Sequence, residues 1–340
     1  MKSMKQLNKK NILITALLLV VVMESIGLTL LLSWQNCQSD SAPFSDSSQA
    51  FENHSELTQE LEDPLEPEPS HEPQDMPADS YSLPVNTRSA AEILAESPVI
   101  AHGMGAIDDI NVLNCLEAFE AQYEKGVRIF EVDLRMTSDM HVVLRHDWRS
   151  GWQDGISESA VPTLEEFLSA PLLGQYTPLS FRDLLQLMAE HPDICIITDT
   201  KFTDAEVVTM QFNAMLQDAE ELGLSYLFDR MIIQVYNSMM FETVDSIHHF
   251  PHYIYTLYSV GFECTEEAFE EIAAFCQCNG IAGVTMWHYW WDAAYAPIAE
   301  QYNISVYAHT VNDVSKARTL LSEGISSVYT DTLIPSNFEP

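Results

Sequence analysis

The stretch Arg128-Ile-Phe-Glu-Val-Asp-Leu-Arg-Met-Thr-Ser-Asp-Met-His-Val-Val-Leu-Arg-His-Asp147 decides how this chain is read. Glu131 and Asp133 stand two apart in an Ile/Phe/Val/Leu run. In a strand, alternation sends both carboxylates out of the same face. Two acids aimed together from an apolar strand cost free energy unless a cation or a donor meets them. Ser138-Asp139-Met140 predicts a turn and His141 to Leu144 a returning strand, which brings His146 near the pair. A hard metal ion and a phosphate are what such a group would hold.

Working outward, eight short apolar strands fall near 98–102, 128–134, 193–199, 231–236, 253–258, 280–286, 304–310 and 326–331. Helical patterns fall near 113–124, 180–190, 204–222, 238–249, 265–277, 291–302 and 313–323. This alternation predicts an α/β chain folded as a (β/α)8 TIM barrel. Ser150 to Thr177 is a longer insertion, with a helix predicted at Leu164 to Ser169. Working residues in such barrels gather at the carboxyl ends of strands. His102 ends the first strand, Glu131 and Asp133 lie near the end of the second, and Asp199 and Lys201 close the third. His146 follows in the loop after the second strand, so the polar set converges on three adjacent strands.

These residues carry a resemblance. His102, Asn114, Glu131, Asp133, Thr137, Asp139, His146 and Asp147 together resemble the start of the glycerophosphodiester phosphodiesterase family, within the PLC-like phosphodiesterases. Ile196-Ile-Thr-Asp199-Thr-Lys201 looks like its third acidic strand. Ser305 to Asn312 and Gly324 to Asp331 look like its last two strands, so the likeness runs from about Val99 to Pro335. The chain also departs from the family pattern. Gly103 stands where an arginine usually follows the first histidine, Leu113 where a glutamate precedes the asparagine, Asp199 for a glutamate, and His309 for a tryptophan.

The resemblance implies a phosphoric diester hydrolase with Glu131, Asp133 and Asp199 as ligands of a divalent metal. All three are hard oxygen donors, which favours Mg²⁺ or Ca²⁺ over zinc. It implies His102 and His146 as the acid–base pair, their parts unassigned, and Lys201 as the cation at the substrate phosphate. Asp147 is expected to orient His146 or its loop. Asn114 either meets a ligand or metal-bound water, or caps its helix. Trp287-His-Tyr-Trp-Trp291 follows the sixth strand. Trp287, Trp290 and His309 are candidate headgroup contacts, with ordinary packing of the loop as the alternative. The expected reaction is metal-dependent hydrolysis of glycerophosphodiesters to an alcohol and glycerol phosphate. A lysophospholipase D or sphingomyelinase D-like activity is the enzymatic alternative, and a non-catalytic phosphodiester-binding module is the other class.

Before the barrel the composition falls into zones. Residues 1–11 form a basic tail and 12–34 an apolar run of 23 residues, long enough to span a bilayer. Lys2, Lys5, Lys9 and Lys10 precede this run and acids follow it, which predicts a signal anchor with the barrel outside the cytoplasm. A cleaved signal peptide is the alternative. Glu24 lies inside the span, either tolerated when protonated or paired. Residues 35–88 read as a disordered linker. From Gln38 to Arg88 it holds 12 acids, one base, and many Pro and Ser, too polar to bury a core. Its reach is on the order of 40 Å.

Residues 89–340 are the expected barrel domain, with 38 acids and 10 bases of the whole-chain totals of 51 and 15. A domain near −28 disfavours nucleic acid and strongly anionic membranes as partners, and fits a cation-binding protein acting on small-molecule or lipid diesters. Six cysteines stand at 37, 115, 195, 264, 276 and 278 without zinc spacing or a disulfide framework. Outside the membrane, Cys264 could pair with Cys276 or Cys278.

Overall fold

The computed structural model of the chain describes residues 90–148, 161–258 and 261–339. The expected span at 12–34, Glu24 and the acidic linker lie outside the described residues, and among these no helix is long and apolar enough to cross a membrane.

Eight parallel strands close into a barrel: β1 Val99–Ala101, β2 Ile129–Met136, β4 Cys195–Asp199, β5 Met231–Val235, β6 Tyr253–Thr256, β7 Gly283–Trp287, β8 Ser305–His309 and β9 Ser327–Thr330. β1 pairs with both β2 and β9, which seals the ring. A further strand, β3 (Val142–Leu144), returns antiparallel along β2 with Leu134 opposite Leu144. The predicted turn and return strand are therefore present, and His146 follows this hairpin rather than β2 itself.

Period-two alternation sorts each strand into a lumen face and an outer face. On β2, Phe130, Val132 and Leu134 join the large apolar layer under the helices, whereas Ile129 belongs to the lumen cluster. Glu131 and Asp133 share the parity of Ile129. The lumen is therefore layered. Ile100, Ile129, Cys195, Ile197, Ile232 and Ile254 fill its lower part with Tyr307 and Tyr329. Gly283 leaves room for this, since a Cβ there would meet the Tyr307 ring at 2.6 Å. Ala90, Ile93 and Leu94 of helix α1 (Ala90–Glu96) close the bottom. Each fully buried aliphatic side chain contributes roughly 1.5–3 kcal/mol. That apolar floor forces the polar residues of the same parity toward the carboxyl end.

The outer helices are α2 Leu116–Glu124, α3 Leu164–Ser169, α4 Phe181–Glu190, α5 Ala205–Leu222, α6 Ser238–Ile247, α7 Glu266–Cys278, α8 Ala296–Gln301 and α9 Val314–Ser322. α4 buries Phe181, Leu184, Leu185 and Met188 at i, i+3, i+4 and i+7, and a Ser180/Asp183 capping box starts it. Arg230, only 5% exposed, donates to the carbonyl of Met188 in the last turn of α4 and to those of His191 and Ile194 beyond it. α3, in the insertion, has the predicted bounds and a Thr163/Glu166 capping box. α2 starts later than expected, and the 291–302 helix is split into a 3-10 turn at Ala293–Tyr295 and α8. Cys264 and Cys276 are free thiols, so Cys264 pairs with neither Cys276 nor Cys278.

Candidate active site

The lumen-facing residues at the carboxyl end surround a cavity of about 290 Å³. His102, Glu131, His146, Asp199 and Lys201 line one side of it, and Gln234, Tyr258, Thr285, Trp287 and His309 the other. All six sequence-predicted catalytic and metal residues come together here, with Asp133 fully buried behind Lys201.

Glu131, Asp133 and Asp199 each present one oxygen within 4.8 Å of the others. Parallel register places Asp133 beside Asp199 and Glu131 beside Ile197 on neighbouring strands. Gly103 N–H donates to Glu131 Oε2 at 2.7 Å. Asn114 takes hold of Asp133 twice. Its Nδ2 donates to Asp133 Oδ2 at 2.8 Å and its Oδ1 accepts from the Asp133 amide at 2.9 Å. Cys115, not Asn114, is the N-cap of α2, so the helix-capping role is not the one observed.

Lys201 Nζ lies 2.7 Å from Asp133 Oδ1 and also pairs with Asp199. Tyr258 OH donates to Asp199 Oδ2 at 3.3 Å, while Asp199 Oδ1 is buried without a hydrogen-bond partner among the described residues. Three buried carboxylates in one group, with no cysteine among its members and Asp199 Oδ1 unmet among the described residues, fit a hard divalent cation.

Charge is unevenly held across the group. Burial, then the charge of Asp133, pushes Glu131 up to about 8. Burial would also raise Asp133, but Lys201, His146 and His102 hold it below the usual carboxylate range. For Lys201 burial acts downward and is outweighed by Asp199 and Asp133, so the ammonium stays charged.

Each histidine is oriented by an acid. His146 Nδ1 meets Asp147 Oδ2 at 2.6 Å, in line with the expected role of Asp147. His102 Nδ1 meets Asp331 Oδ1 at 2.8 Å. Asp331 is itself fixed by Asn111 Nδ2 at 3.2 Å and Asn312 Nδ2 at 2.7 Å. Burial lowers the His102 pKa, yet the Asp331 hydrogen bond and the charges of Glu131 and Asp133 carry it to about 9. Sequence reading assigns Asp331 no role. The available signal is an acid just past the last strand, level with His102. Gln234, Tyr258, Thr285 and Tyr329 are also unassigned by sequence, and their only signal is lumen parity.

Three departures from the family pattern acquire structural reasons. Gly103 has φ +53°, and a Cβ there would come within 2.5 Å of Val112 Cα, so this backbone path excludes arginine. Leu113 is buried in the apolar layer. His309 is 8% exposed and touches the rings of Trp287, Tyr258 and Tyr329 at 4.3, 5.1 and 5.9 Å. Of the candidate headgroup residues, Trp287 and His309 line the cavity. Trp290 does not; its ring packs on Phe262 at 5.9 Å, as loop packing would have it.

Three buried carboxylates that could hold a hard cation, a lysine paired with them and two acid-oriented histidines meet at one cavity, a set able to support acid–base chemistry on a phosphoric diester. Sequence comparison makes the class specific. The profile of the glycerophosphoryl diester phosphodiesterase family matches residues 109–334, and the chain belongs to that family of hydrolases. Solved structures share the fold at low identity. One is a phosphodiesterase from Oleispira antarctica in complex with the product sn-glycerol-3-phosphate (TM-score 0.58, 17% identity, 72% of this chain and 96% of that one). Another is a Silicibacter pomeroyi protein described as a glycerophosphoryl diester phosphodiesterase (TM-score 0.60, 17% identity, 73% and 95%). A third is a glycerophosphodiester phosphodiesterase from Thermotoga maritima (TM-score 0.50, 20% identity, 69% and 94%).

Proposed function

We propose that this chain is a membrane-anchored, metal-dependent phosphodiesterase that hydrolyses glycerophosphodiesters to an alcohol and glycerol phosphate, with its barrel outside the cytoplasm. The observation that carries the reaction is the convergence of His102, His146 and Lys201 on the buried Glu131, Asp133 and Asp199. The Oleispira relative's bound sn-glycerol-3-phosphate supports a substrate of this size and chemistry. The anchor rests on the apolar run at 12–34 and the lysines before it.

Glu131, Asp133 and Asp199 would hold Mg²⁺ or Ca²⁺, which supplies charge neutralisation at the phosphoryl oxygens when bound. Lys201 adds a fixed positive charge on the same side. His102, protonated near neutrality and held by Asp331 through Nδ1, has Nε2 left to donate a proton to the leaving alkoxide. His146, held through Nδ1 by Asp147, has Nε2 left to accept the proton of the attacking water or substrate hydroxyl. This assigns acid to His102 and base to His146. A purely binding module would need neither oriented histidine.

The test is turnover of a panel of glycerophosphodiesters and lysophospholipids by the full chain, with Mg²⁺, Ca²⁺ or chelator, beside His102→Ala. Release of glycerol phosphate that needs both metal and His102 is expected. Products confined to lysophospholipids would move the assignment to a lysophospholipase D, and binding without turnover would move it to the binding module. Membrane fractionation, with protease access to the barrel in sealed spheroplasts or vesicles, checks the anchor and its orientation.

A further inference from the structure

The half of the cavity away from the carboxylates is built of neutral polar groups. Gln234 Nε2 donates to Tyr258 OH at 3.1 Å, and Tyr329 OH donates to Gln234 Oε1 at 3.4 Å, so these three largely satisfy one another. Thr285 Oγ1 and His309 Nε2 are different: both are buried and, among the described residues, neither has a hydrogen-bond partner. An unmet polar atom in such a place costs about 1–3 kcal/mol. A ligand that supplies its partner recovers that cost.

His309 is fixed where it stands. It ends β8 opposite Trp287 of β7, and three aromatic rings surround it. Burial, then the charges of His102 and Lys201, pushes its pKa down to about 3, so the imidazole is uncharged at neutral pH. Nε2 is then a donor in one tautomer and an acceptor in the other. A hydroxyl complements either tautomer. A quaternary ammonium complements neither, because it has no proton to give and no lone pair to accept one. Trp287 is the ring most suited to a quaternary cation. It already touches His309 at 4.3 Å and stacks on Tyr289 at 6.0 Å, and the fixed charge of Lys201 shares the cavity.

We propose that His309, with Thr285, makes this end of the cavity select a neutral, hydroxyl-bearing headgroup over a quaternary ammonium one, an inference that rests on the phosphodiesterase reading. His309 is then a specificity-determining residue, because its Nε2 gives this wall of the cavity a group that can donate or accept.

Binding separates this inference from turnover. The full chain carrying His102→Ala, so that no diester is consumed, is titrated calorimetrically with glycerophosphoglycerol and glycerophosphocholine, with and without His309→Phe. Tighter binding of glycerophosphoglycerol is expected, and His309→Phe should weaken it about tenfold while leaving glycerophosphocholine nearly unchanged. His309→Gln, which keeps a neutral hydrogen-bonding group, should recover part of the loss. Thermal melting shows whether each variant is folded. Equal weakening of both diesters, tighter choline binding in the parent, or binding of neither diester would overturn the proposal. If the preference holds and the unsubstituted protein hydrolyses neither diester with Mg²⁺ or Ca²⁺, the phosphodiesterase reading fails and the selectivity stands.

Discussion

Asp331 and His102 are 229 positions apart and meet through a 2.8 Å hydrogen bond across the β1–β9 seam. The bond occupies Nδ1 of the imidazole and leaves Nε2 for the proton transfer proposed above. It also raises the histidine's proton affinity, together with the neighbouring carboxylates. A charged hydrogen bond of this kind contributes about 1.5–3 kcal/mol.

Asp331→Asn should therefore lower kcat/KM by about tenfold to a hundredfold while leaving the affinity for divalent cation nearly unchanged. The alkaline limb of the pH–rate profile should also move to lower pH, because protonated His102 loses its counter-charge. A profile that falls uniformly without shifting would argue that Asp331 acts only on folding.

Divalent cation should stabilise the protein. A ligand that binds only the folded state at a hundred times its dissociation constant adds about 2.7 kcal/mol. Melting temperature should rise with Mg²⁺ or Ca²⁺, and Asp133→Asn should abolish most of that rise. Melting curves that ignore both ions would remove the metal from the site.

The metal-free protein should lose stability as pH rises. Folding lifts Glu131 from 4.5 to about 8 and His102 from 6.5 to about 9. Both groups bind their protons more tightly in the folded state. Their contribution is complete below the unfolded values and is lost as pH climbs through about 8 for Glu131 and about 9 for His102. Chelated protein melted between pH 6 and 9.5 should show this decline, and saturating cation should flatten it by competing with the protons. A melting temperature that climbs with pH in chelator would contradict the sign.

Gly103→Ala should destabilise the chain by about 1–3 kcal/mol, because alanine is strained at φ +53° and its Cβ meets the Val112 backbone. It should also weaken cation binding, since Gly103 N–H holds Glu131. Gly103→Arg, which restores the family's usual residue, should be worse than alanine. Activity gained by the arginine variant would mean that the loop can take another path.

The barrel was legible because its strands obey one rule: apolar residues line the lower lumen, and polar residues of the same parity emerge at the top. Ile129, Glu131 and Asp133 display that rule within five residues. The same parity separates Trp287 from Trp290. The first closes β7 facing the lumen, while the second lies past the strand's end, where alternation no longer applies. Asn114 was illegible as the clamp on Asp133 because its position depends on a backbone φ of +51°, which no local spacing announces. Asp331 escaped for another reason: its partner lies at the other end of the barrel sequence, so only ring closure brings the two together.

Ring closure also sets the order in which the enzyme comes alive during synthesis. The carboxylates, Lys201 and both histidines leave the ribosome well before Asp331. Until β9 is made and docks beside β1, the barrel is open and His102 lacks the acid that orients it, so a partly translated or carboxyl-truncated chain should stay silent toward phosphodiesters.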